Sequence, residues 1–252
     1  MMRYKGETVW VIGASSGIGL ALAERFASEG ARVIISARNA VALDDFVATH
    51  GAQHIAAAFD MSDHGALQQI VEKLWQQCGN IHRVIFMAAL YQPMKLHALD
   101  MQQTRSIIDV NLTSAFALVH SLLPKLSAQP NAQLALCGSV AGYTGLPGGQ
   151  PYSATKAAII NLAESLAVEA PPSLDIKLIS PGFVQTPLTD KNNFAMPMMI
   201  SPARAANYIA DGLLSSRFEI HFPKGFTRLL KLLRLLPYRL RLWIAKKTES
   251  HT

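Results

Sequence analysis

A chain of 252 residues, half of them apolar and only 16% charged, is long enough for one large α/β domain and too hydrophobic for global disorder. The formal net charge of +6 sits at one end: residues 1–223 carry 15 Lys and Arg against 16 Asp and Glu, and residues 224–252 carry 8 against 1. A near-neutral body argues against a nucleic-acid groove across it. The cysteines Cys78 and Cys137 have no ligand spacing, so reduced thiols are expected, with no metal centre.

The first eight residues carry no charged-then-apolar leader, and a cytoplasmic protein is expected. In chain order, the apolar runs Val9–Ile12, Arg32–Ser36, His54–Phe59, Val84–Met87, Gln133–Cys137, Ile176–Ile179 and Phe218–Phe222 read as buried strands. Between them, Ile18–Glu29, Ala40–Thr49, His64–Cys78, a long run Met101–Leu126, Tyr152–Ala170 and Pro202–Ser215 have helical spacing. Strict alternation of strand and helix predicts a doubly wound α/β fold, a parallel sheet with helices on both faces. No internal repeat or linker divides the body, so one domain over 5–222 and an appended tail over 223–252 are expected.

Directly after the first strand stands Gly13-Ala14-Ser15-Ser16-Gly17-Ile18-Gly19, opening a helix. Glycines there let the backbone turn tightly and let a pyrophosphate reach the free N–H groups and positive dipole of the helix N-terminus. The spacing is GxxxGxG rather than GxGxxG, and a glycine trio alone is a weak signal; its place after the first strand is what points to a phosphate site. At the end of the second strand, Ala37-Arg38 replaces the acidic residue that would bind the ribose hydroxyls of NAD. Arg38 is either a surface arginine at a loop start or a partner for a 2′-phosphate, and on the second reading NADP(H) is favoured over NAD(H). Asp60, followed by Met61 after the third strand, is placed either to accept from an adenine amino group or to cap a helix.

Tyr152 and Lys156 stand at i, i+4 on one face of a helix. An ammonium beside a phenol favours the phenolate and draws the tyrosine toward a working general acid/base. Chance alone produces such a pair often in this composition, so the neighbours decide its meaning. Ser139, just past an apolar strand in Gly138-Ser139-Val140, offers a hydroxyl to a developing oxyanion, although a lone serine there reads equally as a loop residue. Asn111 lies inside the long helical run, where its poor helix propensity invites another reason for its presence. Pro181-Gly182-Phe183-Val184-Gln185-Thr186 turns at the C-terminal end of the sixth strand, where open α/β sheets bind ligands.

In order and spacing, the glycines, Asn111, Ser139, Tyr152-x-x-x-Lys156 and Pro181-Gly182-x-Val184-x-Thr186 resemble the short-chain dehydrogenase/reductase family. The resemblance covers about residues 5–222 and implies a Rossmann-type domain with a seven-stranded parallel sheet. It implies that Tyr152 is the catalytic acid and that Lys156 binds the nicotinamide ribose and lowers the tyrosine pKa. Ser139 would orient the carbonyl, Asn111 would hold a water in a proton relay, and Thr186 would contact the nicotinamide carboxamide. One departure stands out: Phe86-Met87-Ala88-Ala89 occupies the place of the family's Asn-Asn-Ala-Gly. The bracing amides are lost, whereas the small Ala88 and Ala89 are expected to keep close passage for the cofactor.

The segment from Pro187 to Ile200 is rich in Leu, Phe and Met, and the corresponding loop of the family closes over substrate. Flexible methionines there suit an apolar substrate, with Phe194 and Met196 as candidate contacts and Tyr91 and Tyr143 as weaker ones; simple packing onto the body is the alternative. From Lys224 to Lys247 the chain is basic and leucine-rich. Arg228, Lys231 and Arg234 share one side of a helical wheel and Leu229, Leu230, Leu232, Leu233 and Leu236 the other, as far as Pro237. Recurring charges exclude a simple transmembrane span. Residues 224–247 fit either the anionic surface of a membrane, such as the inner face of a cell membrane, or packing against protein.

The expected activity is interconversion of an apolar ketone or aldehyde with its alcohol by an NADP(H)-dependent oxidoreductase, assembled as a homo-dimer or homo-tetramer as the resemblance implies. Reduction of a 3-oxoacyl thioester is a close variant. A catalytically silent cofactor-binding or membrane-docking protein is the alternative of a different class.

Overall fold

The strands are apolar along most of their length because both faces of the sheet are covered. In the computed structural model, which describes residues 2–145, 147–194 and 196–249, β1 (Thr8–Ile12) and β5 (Ala132–Cys137) are buried at every position. They join β2 (Arg32–Ser36), β3 (Ile55–Ala56), β4 (Arg83–Phe86), β6 (Leu174–Pro181) and β7 (Glu219–Phe222) in a single seven-stranded sheet of order β3-β2-β1-β4-β5-β6-β7. Every pairing is parallel, with Trp10 opposite both Ile34 and Val84.

Alternate side chains feed two cores. Val9 and Val11 face Leu22 and Phe26 of α1 (Gly17–Ser28), Leu43 of α2 (Ala40–His50) and Ile209 of α7 (Pro202–Leu213). Trp10 and Ile12 face Leu67 of α3 (His64–Cys78), Leu118 of α5 (Ser114–Ser127) and Ile159 of α6 (Tyr152–Glu169). The strand order reverses between β1 and β4, opening a crevice at their carboxyl ends where such sheets bind ligands. Both thiols are free, Cys137 buried and Cys78 half-buried.

Two expectations about the elements are corrected. The third strand, expected over His54–Phe59, is paired only at Ile55–Ala56. At its start the His54 ring takes the strand's place, its Nδ1 accepting from Val33 N at 3.0 Å. Beyond it, at the sheet edge, Phe59 N still donates to Ala37 O. The helix expected without interruption over Met101–Leu126 is α4 (Met101–Ile108), a π-helical turn (Asp109–Thr113) and α5. The run Met101–Ser127 is long and apolar enough to cross a membrane. Fully buried Ala115, Leu118, Leu122 and Leu126 instead give α5 a face packed on the core.

The tail forms two helices, α8 (Lys224–Arg234) and α9 (Tyr238–Glu249), and its leucines do not share one environment. Phe226, Thr227 and Leu230 turn inward, Thr227 fully buried, while Leu229, Leu232 and Leu235 lie outside with Arg228. Lys231 leaves the basic side to pair with Glu219 of β7, which also accepts from the Tyr143 hydroxyl. Burial works against ionisation of Glu219, but these partners hold its carboxyl below its ordinary pKa. α8 is therefore strapped to the body rather than standing apart from it.

Candidate active site

The glycine loop is shaped by backbone crowding. Gly13, at φ +90°, runs so close to the segment after β4 that an added Cβ would lie 2.5 Å from Ala88 N. The atoms met are backbone atoms of Met87 and Ala88, so this close passage depends on the absent side chain of Gly13 and not on the side chains that stand in place of the asparagines. A Cβ on Gly19 would overlap the Gly13 carbonyl, so α1 begins directly beneath the turn. Ser16 stands at the N-cap with no side-chain capping bond. The first N–H groups of α1 thus open onto the crevice, a place for anionic oxygens.

A single cleft of about 1250 Å³ follows. At one end it is lined by Arg38, Asp60 and Met61, in the middle by Gly13, Ser15, Ser16, Gly17, Ile18 and Gly19, and opposite them by Ala88 and Ala89. Pro181, Gly182, Val184 and Thr186 continue the wall. A Cβ on Gly17 would meet Thr186 Cγ2 at 3.0 Å, so the two loops nearly touch across the cleft. Asp60 serves its own turn with one oxygen, Oδ1 accepting from Ser62 N at 2.9 Å and Ser62 Oγ at 2.8 Å; these bonds outweigh desolvation and lower its pKa. Its other oxygen lies 3.9 Å from Arg38 Nη1, and the Arg38 side chain remains 64% exposed.

The cleft ends at Ser139, Tyr152 and Lys156. Ser139 sits just past β5, its Oγ accepting from Ala141 N at 3.1 Å. Buried Lys156 donates to the Cys137 carbonyl at 2.8 Å, and its Nζ lies 5.6 Å from the Tyr152 ring centroid. The expectation that Lys156 lowers the Tyr152 pKa is not met by this arrangement. Desolvation raises the phenol above its ordinary value, outweighing a hydrogen bond with Ser139 that lowers it, and desolvation lowers the lysine too. Both shifts favour neutral groups, so Tyr152 carries its proton.

Asn111 is fully buried in the π-helical turn and grips the segment after β4. Its Oδ1 accepts from Leu90 N at 2.6 Å, and its Nδ2 donates to Leu90 O at 2.9 Å and to Thr155 Oγ1 at 3.2 Å. The amide is thus spent on protein groups. It braces the strand end from the helix side, where the family's paired asparagines are absent.

At this end of the cleft, Tyr91 meets Tyr152 edge-on with ring centroids 4.9 Å apart, and its hydroxyl donates to Asn192 Oδ1 at 2.6 Å. Lys191 Nζ reaches back to the Tyr91 carbonyl at 2.8 Å. The loop after β6 is therefore fastened over the tyrosine. Tyr91 and Phe194 line the cleft, but two expected residues do not. Tyr143 turns its hydroxyl away to Glu219, and Met196 lies against Asn192, its Sδ accepting from Nδ2 at 3.4 Å. Phe226 and Leu230 of α8 line the cleft although sequence reasoning placed them outside the domain. Their i, i+4 spacing was the available signal. Phe226 rests on the Pro181-Gly182 turn, where a Cβ on Gly182 would be 3.1 Å from its ring.

A dinucleotide-sized crevice at the switch point of a parallel sheet, ending at a Ser-Tyr-Lys cluster, defines a Rossmann-type oxidoreductase. The short chain dehydrogenase family model matches residues 7–196. The chain is 30% identical over 240 residues to an uncharacterized oxidoreductase of Myxococcus xanthus, covering 94% of each chain. It is 29% identical over 192 residues to the 3-oxoacyl-[acyl-carrier-protein] reductase of Escherichia coli, covering 75% of this chain and 78% of that one. Among solved structures, a short chain dehydrogenase/reductase from Burkholderia phymatum in complex with NAD superposes with a TM-score of 0.83 at 22% identity, over 92% of this chain and 94% of that one. The chain belongs to the short chain dehydrogenase family and is an NAD(P)-dependent dehydrogenase/reductase.

Proposed function

We propose that this protein reduces apolar ketones or aldehydes with NADPH, Tyr152 supplying the proton. The observation that carries the reading is the continuity of the cleft from Arg38, past the glycine turn, to Ser139, Tyr152 and Lys156. The crowding at Gly13 and the open N-terminus of α1 suit a pyrophosphate. Arg38, exposed and lightly held by Asp60, suits a 2′-phosphate. Lys156 and Thr186 would hold the nicotinamide end. When bound, the dinucleotide supplies a hydride to the carbonyl carbon.

The chain's own residues manage the oxygen. Ser139 donates a hydrogen bond to it, and Tyr152, held protonated by desolvation, gives up its proton as negative charge develops. Asn111 positions the segment at Leu90 that lies beside the site. Phe183, Leu188, Phe194, Phe226 and Leu230 exclude water and favour an oily substrate. Reduction suits an NADPH-rich cytoplasm. Exposed Ile108, Phe116 and Val168 on α4, α5 and α6 support a homo-dimer or homo-tetramer through those helices.

A second reading, reduction of a 3-oxoacyl thioester on a carrier protein, draws support from the name of the E. coli relative. The test follows NADPH oxidation over medium-chain aldehydes, ketones and 3-oxoacyl thioesters, with Tyr152→Phe as control. Turnover of free carbonyls, lost by about 100-fold or more in the variant, is the expected result. Turnover of carrier-bound thioesters alone would select the second reading. Wild type and variant equally inert across the panel would overturn both.

A further inference from the structure

We infer that the outer face of α8 and the following α9 dock on an anionic lipid bilayer and set the cleft mouth at the membrane surface. Leu229, Leu232 and Leu235 are 55%, 63% and 80% exposed, and Leu242 and Trp243 of α9 are exposed as well. Leu229 and Leu232 stand at i, i+3, and Arg228 and Leu232 at i, i+4, so apolar and cationic side chains share one strip. Lys224, Arg228, Arg234, Arg239 and Lys246 are exposed beside these side chains.

Charge decides among occupants. Residues 224–252 carry 8 cations against 1 anion, whereas the body is near neutral. A second copy of the same surface would bring like charges together around the leucines. A nucleic acid would reward the cations and leave the leucines and Trp243 in water. An anionic bilayer satisfies both, with headgroups meeting the Lys and Arg side chains and the acyl boundary taking the apolar ones.

The same helix is a wall of the cleft. Its inner residues Phe226 and Leu230 line it, and Phe226 packs on Phe183, which packs on Phe194 at the cleft wall. Exposed Met198 abuts the first turn of α8, its Cε 3.3 Å from where a Cβ on Gly225 would stand. The apolar surface therefore continues from the docking strip onto the substrate loop. A long-chain carbonyl compound dissolved in the bilayer would pass to Tyr152 without crossing bulk water. This delivery step rests on the apolar-carbonyl reading of the cleft; the docking itself does not.

The test compares full-length protein with the triple variant Leu229→Gln, Leu232→Gln, Leu235→Gln, which alters no cleft-lining residue. Co-sedimentation uses vesicles of phosphatidylglycerol and phosphatidylethanolamine, with phosphatidylcholine vesicles as the neutral arm. Wild type is expected to partition about tenfold more strongly onto anionic vesicles, and the variant to lose about tenfold of that binding. Turnover of a water-soluble short-chain aldehyde should be unchanged, whereas kcat/KM for a vesicle-dissolved long-chain aldehyde should fall about fivefold. Equal pelleting of wild type and variant overturns the docking, as does equal binding to neutral vesicles. Loss of a dimer in the variant, with no vesicle binding by wild type, would assign the strip to a second copy and also overturn it. Vesicle binding is read without turnover, so a protein that binds yet reduces no carbonyl refutes the enzymatic reading alone.

Discussion

Asn111 holds both backbone groups of Leu90, accepting from its N–H at 2.6 Å and donating to its carbonyl at 2.9 Å. One side chain on a π-helical turn thereby ties the α4–α5 helical run to the loop after β4, beside which Tyr152 lies.

Replacing this amide with an isosteric apolar group, Asn111→Leu, removes the partner of two part-buried backbone groups. A loss of about 1–3 kcal/mol in stability is expected, read by urea unfolding. A change below about 0.5 kcal/mol would show that the pairing is dispensable.

Burial disfavours the Tyr152 phenolate, so its pKa lies above the ordinary 10.0. In the nucleotide-free protein, an ultraviolet titration should show no tyrosinate attributable to Tyr152 below about pH 10. A tyrosinate near neutral pH that vanishes in Tyr152→Phe would restore the influence of Lys156 expected from their spacing.

Arg38→Ala should lower kcat/KM with NADPH by about 10- to 100-fold and leave NADH nearly unaffected, since only one cofactor carries the phosphate the guanidinium would meet. An unchanged NADPH to NADH ratio assigns Arg38 to the surface and its contact with Asp60.

Gly19→Ala places a methyl against the Gly13 carbonyl, a backbone group that cannot rotate aside, and should weaken dinucleotide binding by about tenfold or more. Gly145→Ala meets nothing within 4 Å and serves as control. Calorimetry with NADPH checks both; equal affinities would place the phosphate site elsewhere.

Tyr91→Phe removes the hydroxyl that fastens Asn192 and leaves the ring against Tyr152. A hydrogen bond of about 1 kcal/mol predicts roughly a fivefold rise in KM for an apolar substrate at nearly constant kcat. A kcat collapse with unchanged KM would give the Tyr91 hydroxyl a part in the chemistry.

Much of the molecule was legible in its residues. Apolar runs such as Val9–Ile12 must be strands buried on both faces, and the spacing of Tyr152 and Lys156 and the place of the glycine turn follow from local geometry alone. His54 reads as strand because periodicity does not reveal that an imidazole will accept from the backbone N–H of the neighbouring strand. Tyr143 and Met196 read as cleft candidates because sequence distance says nothing about which way a side chain turns.

By itself, then, the sequence determined the order of elements, the parallel sheet, the glycine turn and the shared helical face of Tyr152 and Lys156, all set by periodicity and short-range spacing. The joining of Ser139 to that pair is what the family resemblance implied. Tertiary structure alone decided that Asn111 braces Leu90, that Tyr91 fastens the loop after β6, and that α8 divides its leucines between cleft and surface. Those outcomes depend on contacts between segments far apart in the chain, where burial and hydrogen-bond satisfaction select one arrangement among many that local pattern permits. Phe226 and Leu229 show the difference: three residues apart in one leucine-rich run, one lines the cleft and the other faces outward.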